Sequence, residues 1–317
     1  MSQEISESEF RVGLPARLLI SNIRGSVVVN SMSILRGGLE ENLAVEEGLI
    51  KVCAVKHLES GSAEHTNIEM YQEEDGQVVL KTHFQEGDWL SWFFSGRKPC
   101  KIDYVIQVPA TCDLKVKGVS SSVEVEGLAG DVSIKTVSGK LTLRQIQGHI
   151  ESASVSGRID GEALTGPAFL DTVSGDVHLK ECNLESIEAK SISANLVVQT
   201  PLSQGPYHFK SVSGNVRLMV PPETGCEVSL KHISGRFDSD LPVDHRSMRA
   251  GVLSAQVQSG GPEVNFRTTS GKLRLSLMER IQPTAVQSKP VAENNFQVLE
   301  QIASGEISVE EGLKKLQ

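Results

Sequence analysis

The chain has 317 residues, of which 39% are hydrophobic, only 4% aromatic and 22% charged, with a formal net charge of -9. That length holds one large core or two domains, and the charged fraction together with 28 glycines excludes general disorder. Lys and Arg alternate with Asp and Glu, and no basic stripe is visible along the sequence, which argues against nucleic acid as a partner.

In chain order, residues 1–9 are acidic and polar, predicting a disordered N-terminus that is the reverse of a signal peptide. No apolar run approaches the roughly 18 residues needed to span a bilayer, so the expected location is cytoplasmic. Residues 10–108 contain the β-rich stretches starting at Val27, Lys51, Val78 and Ile102, read as a less regular N-terminal part of one β domain spanning 10–278. Between turn signals at Gly87-Asp88 and Ser95–Pro99 stand Trp89, Trp92, Phe93 and Phe94, which include both tryptophans of the chain. Buried, this cluster plugs the end of the fold or packs under the tail. Exposed, it is a membrane-interface or partner-binding tip. The five cysteines form no CxxC pair, which predicts small buried hydrophobes with no disulfide framework and no zinc site.

From residue 119 a repeat takes over. Val119-Ser-Ser, Val137-Ser-Gly, Val155-Ser-Gly and Val173-Ser-Gly start 18 residues apart, followed by looser copies at Ile192, Val212, Ile233 and Thr269. The final interval, 36 residues, reads as two coils of which one lacks the mark. Within the 18 lies a nine: Gly130, Gly139, Gly148, Gly157, Gly166 and Gly175 open units whose apolar residues alternate, the strand period. Two strands and two glycine corners make one coil of an all-β solenoid (β-helix). Stacking at about 4.8 Å per coil puts Val119, Val137, Val155 and Val173 in one expected interior row. Leu141, Ile159 and Val177 form a second, Val132, Ile150 and Ala168 a third, and the serines a corner ladder. Coil ends need caps, because unpaired edges invite end-to-end polymerisation.

Residues 279–292 read as a Pro-containing linker, and 293–317 as a short α-helical hairpin. Phe296, Leu299 and Ile302 take helical spacing, and Ser308 with Glu311 makes a capping box for a second helix carrying Leu313 and Leu316. A hairpin of this size must dock on something.

The stretch Ile106–Val116, the segment Val123–Gly127, the Val-Ser-Gly repeats and the second Pro-Pro entry at Val220–Gly235 together resemble the bacterial "putative adhesin" domain of unknown function. The tail Val298–Leu316 is similar to the SHOCT-like hairpin. The pairing implies kinship with proteins some of which are tied to envelope-stress responses.

Solenoids also host carbohydrate-acting enzymes, which need paired carboxylates on adjacent coils. Here the stacked outward positions Lys140, Arg158, Asp176 and Asp131, His149, Pro167 mix their charges, and Asp171, Asp176 and His178 lack a second acidic coil. No catalytic, metal or cofactor residue is assigned. The expected function is a non-enzymatic scaffold or interaction protein that binds a protein partner or itself as an oligomer or filament. Its candidate contacts are the aromatic cluster and the apolar tail positions. A stress regulator or sensor touching the membrane is the alternative, and a β-helix enzyme a third reading.

Overall fold

A computed structural model describes residues 2–32, 48–84 and 98–278. The aromatic cluster Trp89–Phe94 and the expected hairpin with Phe296, Leu299, Ile302, Leu313 and Leu316 lie outside the described residues.

The described chain is strand-rich. It opens with β1 (Gln3–Arg11), β2 (Ala16–Ser31) and β3 (Leu49–His57), then a 3-10 turn at Leu58–Ser60. Next come β4 (Thr66–Gln72), β5 (Val78–Phe84), β6 (Lys101–Val108) and β7 (Cys112–Glu126). Regular coils follow: β8 (Val132–Ser138) with β9 (Leu141–Arg144), β10 (Ile150–Ser154) with β11 (Ile159–Glu162), and β12 (Thr165–Thr172) with β13 (Val177–Lys180). They continue as β14 (Asn183–Ser191) with β15 (Leu196–Gln199), and β16 (Tyr207–Ser211) with β17 (Val216–Val220). Each coil contributes one strand to each of two parallel faces.

In-register stacking places Val132 beside Ile150 and Ala168, and Leu141 beside Ile159 and Val177, all buried as the nine-residue period predicts. Leu128, Ile146, Leu164 and Cys182 add a further buried column at the turn between faces. Each buried aliphatic side chain contributes about 1.5–3 kcal/mol, so neighbours hold each other in place.

Three expectations are corrected. First, the valine row faces out: Val119, Val137, Val155 and Val173 are 38%, 49%, 44% and 38% exposed. Alternation from Ile150 gives Ser152 and Ser154 the inward positions and leaves Val155 outside. Second, residues 3–9 are not disordered but belong to β1, which pairs antiparallel with β3 and sets Glu9 and Glu4 beside Lys51 and Lys56.

Third, the 36-residue interval is not an unmarked coil. β18 (Cys226–His232) and β19 (Arg236–Ser239) do not stack on β16 and β17. β20 (Val243–Arg249) and β21 (Val252–Val257) form an antiparallel hairpin on the outer side of β18. The chain then returns, and β22 (Glu263–Thr268) and β23 (Lys272–Leu277) fill the place between the two coils. The other end is built alike: β2 runs parallel between β7 on one side and β5 and β6 on the other. There, β4 covers one outer edge and β3 with β1 the other.

Two local features carry predictions. Gln145, Ala163 and Glu181 hold φ of 52, 53 and 52°, the left-handed region, in a row that begins at Gly127 with φ 77°. A side chain there costs about 1 kcal/mol. Ala163→Gly is therefore expected to stabilise the fold by about 1 kcal/mol in urea unfolding. Ser152 is 1% exposed and its hydroxyl has no hydrogen-bond partner among the described residues. Ser152→Ala is expected to raise the unfolding free energy by about 1–2 kcal/mol, because it removes an unsatisfied buried hydroxyl.

Candidate interaction surface

The corner after β10 shows what the Val-Ser-Gly signature does. A chain turning between faces leaves the glycine amide without a ladder partner, and a buried amide needs one. Ser154 supplies it: its Oγ accepts the Gly157 N–H at 2.8 Å. Thr172 does the same for Gly175 (3.1 Å), Ser211 for Gly214 (2.8 Å), Thr268 for Gly271 (2.8 Å) and His232 Nδ1 for Gly235 (3.0 Å). At these corners a hydroxyl or imidazole three residues before the glycine is thus part of the motif, and the three-residue signature hides it. The exposed serine then points along the axis. Ser138, Ser156 and Ser174 donate to the carbonyls of Val119, Val137 and Val155 at 3.3, 3.4 and 3.3 Å.

With its neighbours committed to these bonds, each valine side chain is left on the crest of the corner. The crest continues through Ile192, Val212 and Ile233, which are 51%, 50% and 82% exposed. Thr269 takes the place between Val212 and Ile233, because β22 lies between β16 and β18. One edge of the fold is therefore a line of β-branched side chains running from β7 to β18.

Cations flank the far end of this crest. Two positions before each crest residue, Lys190, Lys210, Arg267 and Lys231 are neighbours on four adjacent strands and all are exposed. Of the four, Lys190 is paired, with Glu188 at 2.9 Å, and that hydrogen bond raises the lysine's pKa above its ordinary value. Lys210, Arg267 and Lys231 make no salt bridge among the described residues. On the other side of the crest, Lys272 adjoins Arg236, and Arg217 adjoins Arg274. Lys272 is bridged to Asp238, whose carboxyl is held below its usual range by that bond, and Arg274 to Asp240 at 3.1 Å. This is a basic stripe in an acidic protein. It corrects the expectation that no such stripe exists, since its members are far apart in sequence and meet through stacking.

Polar clusters elsewhere have different geometry. Asp103 Oδ1 accepts from Ser26 Oγ at 2.6 Å, and Asp103 Oδ2 contacts His57 Nε2 at 2.7 Å and Lys101 Nζ at 2.9 Å. Burial opposes ionisation of Asp103, but the Ser26, Lys101 and His57 hydrogen bonds outweigh it and its pKa lies below the usual value. The carboxylate sits between serine and histidine, so His57 is not the base of Ser26, as nucleophilic catalysis requires. Asp176, singled out in the sequence, accepts the Asn195 main-chain N–H at 2.9 Å, a structural role. Among the described residues no three His, Cys, Asp or Glu side chains converge as metal ligands. The five cysteines are free, and burial pushes the Cys112 thiol up to about 12 and those of Cys182 and Cys226 to about 11. Among the described residues no helix is long and apolar enough to cross a membrane.

The chain is similar in structure to a putative cell adhesion protein from Clostridium sporogenes (12% identity, 87% of this chain and 100% of that one, TM-score 0.23). It is also similar to putative adhesins from Bacteroides fragilis (9% identity, 86% and 98% covered, TM-score 0.41) and Parabacteroides merdae (10% identity, 87% and 97% covered, TM-score 0.33). No curated protein matches it significantly. The Toastrack DUF4097 family matches residues 35–276, most of the chain, and this protein belongs to that family.

Proposed function

We propose that the protein is a non-enzymatic interaction scaffold that binds side-on, through the crest of its Val-Ser-Gly corner. The observation that carries this reading is the crest itself. Seven β-branched apolar residues between Val119 and Ile233 are 38% or more exposed along one edge, although the same register buries the rest of the apolar columns. A row of exposed apolar residues along one edge is what a solvated monomer avoids and an interaction site uses. The likeness to adhesin-named structures is consistent with it.

One end of the fold disfavours filament growth. On β1 the positions opposite buried Val52 and Ala54 are Ser8 and Ser6. Polar or charged residues at inward positions of an edge strand discourage a further strand from adding.

A photo-crosslinking amino acid at Val155 or Val212, with Ala163 on the other corner as control, tests the reading in cells expressing the full chain. Adducts at the crest positions and none at Ala163 are expected. Equal adducts at both corners, or none at the crest, would overturn it.

A further inference from the structure

Resting on the reading of the corner as an interaction surface, we propose that its C-terminal stretch docks edge-on against an anionic lipid bilayer. Composition selects this partner. The exposed crest residues Ile192, Val212, Thr269 and Ile233 run between two cationic flanks. Lowered onto a bilayer, the crest enters the headgroup boundary while the lysine and arginine stems keep their charges at the phosphate level.

Charge complementarity supplies the specificity. The acidic groups on the strands of these cations, Glu188, Asp238 and Asp240, are bridged to Lys190, Lys272 and Arg274, and Asp171 lies across from Lys190 on the neighbouring strand. Lys210, Arg267 and Lys231 remain without a salt bridge among the described residues. Because the whole chain carries -9, a negative surface repels most of it and attracts this stretch, which fixes the orientation. Single-stranded nucleic acid is disfavoured, since its binding relies on aromatic stacking platforms and the flanking positions are Lys, Arg and Asn.

Co-sedimentation of the full-length protein with phosphatidylcholine vesicles, with and without phosphatidylglycerol, tests the proposal. Binding is expected only to the anionic vesicles and is expected to fall with added salt. Each positive charge lost is expected to weaken it roughly fivefold, so Lys210→Gln with Arg267→Gln weakens it about 25-fold. Ile233→Ser weakens it further at unchanged salt dependence. Both variants lie on exposed positions, and circular dichroism confirms that they fold. Wild-type affinity in the double variant, or equal binding to both vesicle types, overturns the proposal. So does binding to heparin or an oligonucleotide without binding to vesicles. Failure on vesicles with crest-specific crosslinks intact removes the bilayer and leaves the interaction surface standing, whereas loss of both removes the surface as well.

Discussion

A chain truncated after Gly261 is expected to be unfolded or aggregated, whereas one truncated after Met278 keeps the fold. In a simple solenoid the last strands in sequence are the last in space, and losing them shortens the rod. Here β22 and β23 are internal. β19 has β23 as its parallel partner, and β16 and β17 rest on β22 and β23. Val264, Phe266, Leu273 and Leu275 are fully buried between them. Removing four such side chains forfeits about 6–12 kcal/mol, as much as the whole stability of an ordinary domain. It also bares the Tyr207, Phe209, Val216 and Leu218 surface. Size exclusion and far-UV circular dichroism on the two truncations read the result. A folded monomer ending at Gly261 would contradict the inserted-coil topology.

The second large effect is at Gly157. A Cβ there would stand 1.9 Å from the Gly139 carbonyl oxygen and 2.8 Å from Ser154 Oγ. The oxygen belongs to the main chain of the preceding coil and cannot move without opening the stack. Gly157→Ala is expected to lose about 3 kcal/mol or more and to lower Tm by roughly 10 °C. Gly161→Ala is the useful contrast. Its Cβ would meet the side-chain ends of Leu164 and Leu179 at 2.6 Å, which can turn away, so the loss is nearer 1 kcal/mol. Val155→Ser, on the crest, is expected to change stability by less than about 0.5 kcal/mol. If Gly157→Ala and Gly161→Ala melt alike, backbone contact is not what the corner glycine provides.

The 18-residue coil, the two faces and the columns through Leu141 and Val132 were legible because they depend on local alternation, which the sequence carries directly. The valine row was misplaced because an apolar residue was assumed to face inward. Counting by twos from Val132 through Ile134 already reaches Thr136 as an inward residue and puts Val137 outside. At the Gly157, Gly175, Gly214 and Gly271 corners the inward hydroxyl breaks the apolar pattern because it satisfies the corner amide, whereas Thr136 Oγ1 donates to the Ser138 carbonyl. The role of the glycines was half legible. Gly139, Gly148 and Gly166 hold φ of 129, 142 and 115°, as corner freedom predicts. Gly157 and Gly175 are required instead by contact with the coil before them, both at 1.9 Å.

Coil order was not legible. Nothing local in Glu263–Leu277 distinguishes a last coil from an inserted one, since the strand pattern is the same, and the outcome rests on which edge is left open after β17. The basic stripe was hidden for the same reason. Lys190, Lys210, Lys231 and Arg267 sit among acids in sequence and become a row only after stacking in the order β14, β16, β22, β18.

The claim on which the functional account rests is that the signature valine faces solvent while the residue before it faces the core. Single cysteines introduced at Ser154, Val155 and Ile159 in a Cys53→Ser background, where the remaining native thiols are buried, test it by maleimide labelling of the folded protein. Rapid modification at 155 with protection at 154 and 159 is the expected pattern. Protection at 155 with rapid labelling at 154 would contradict the crest and everything built on it.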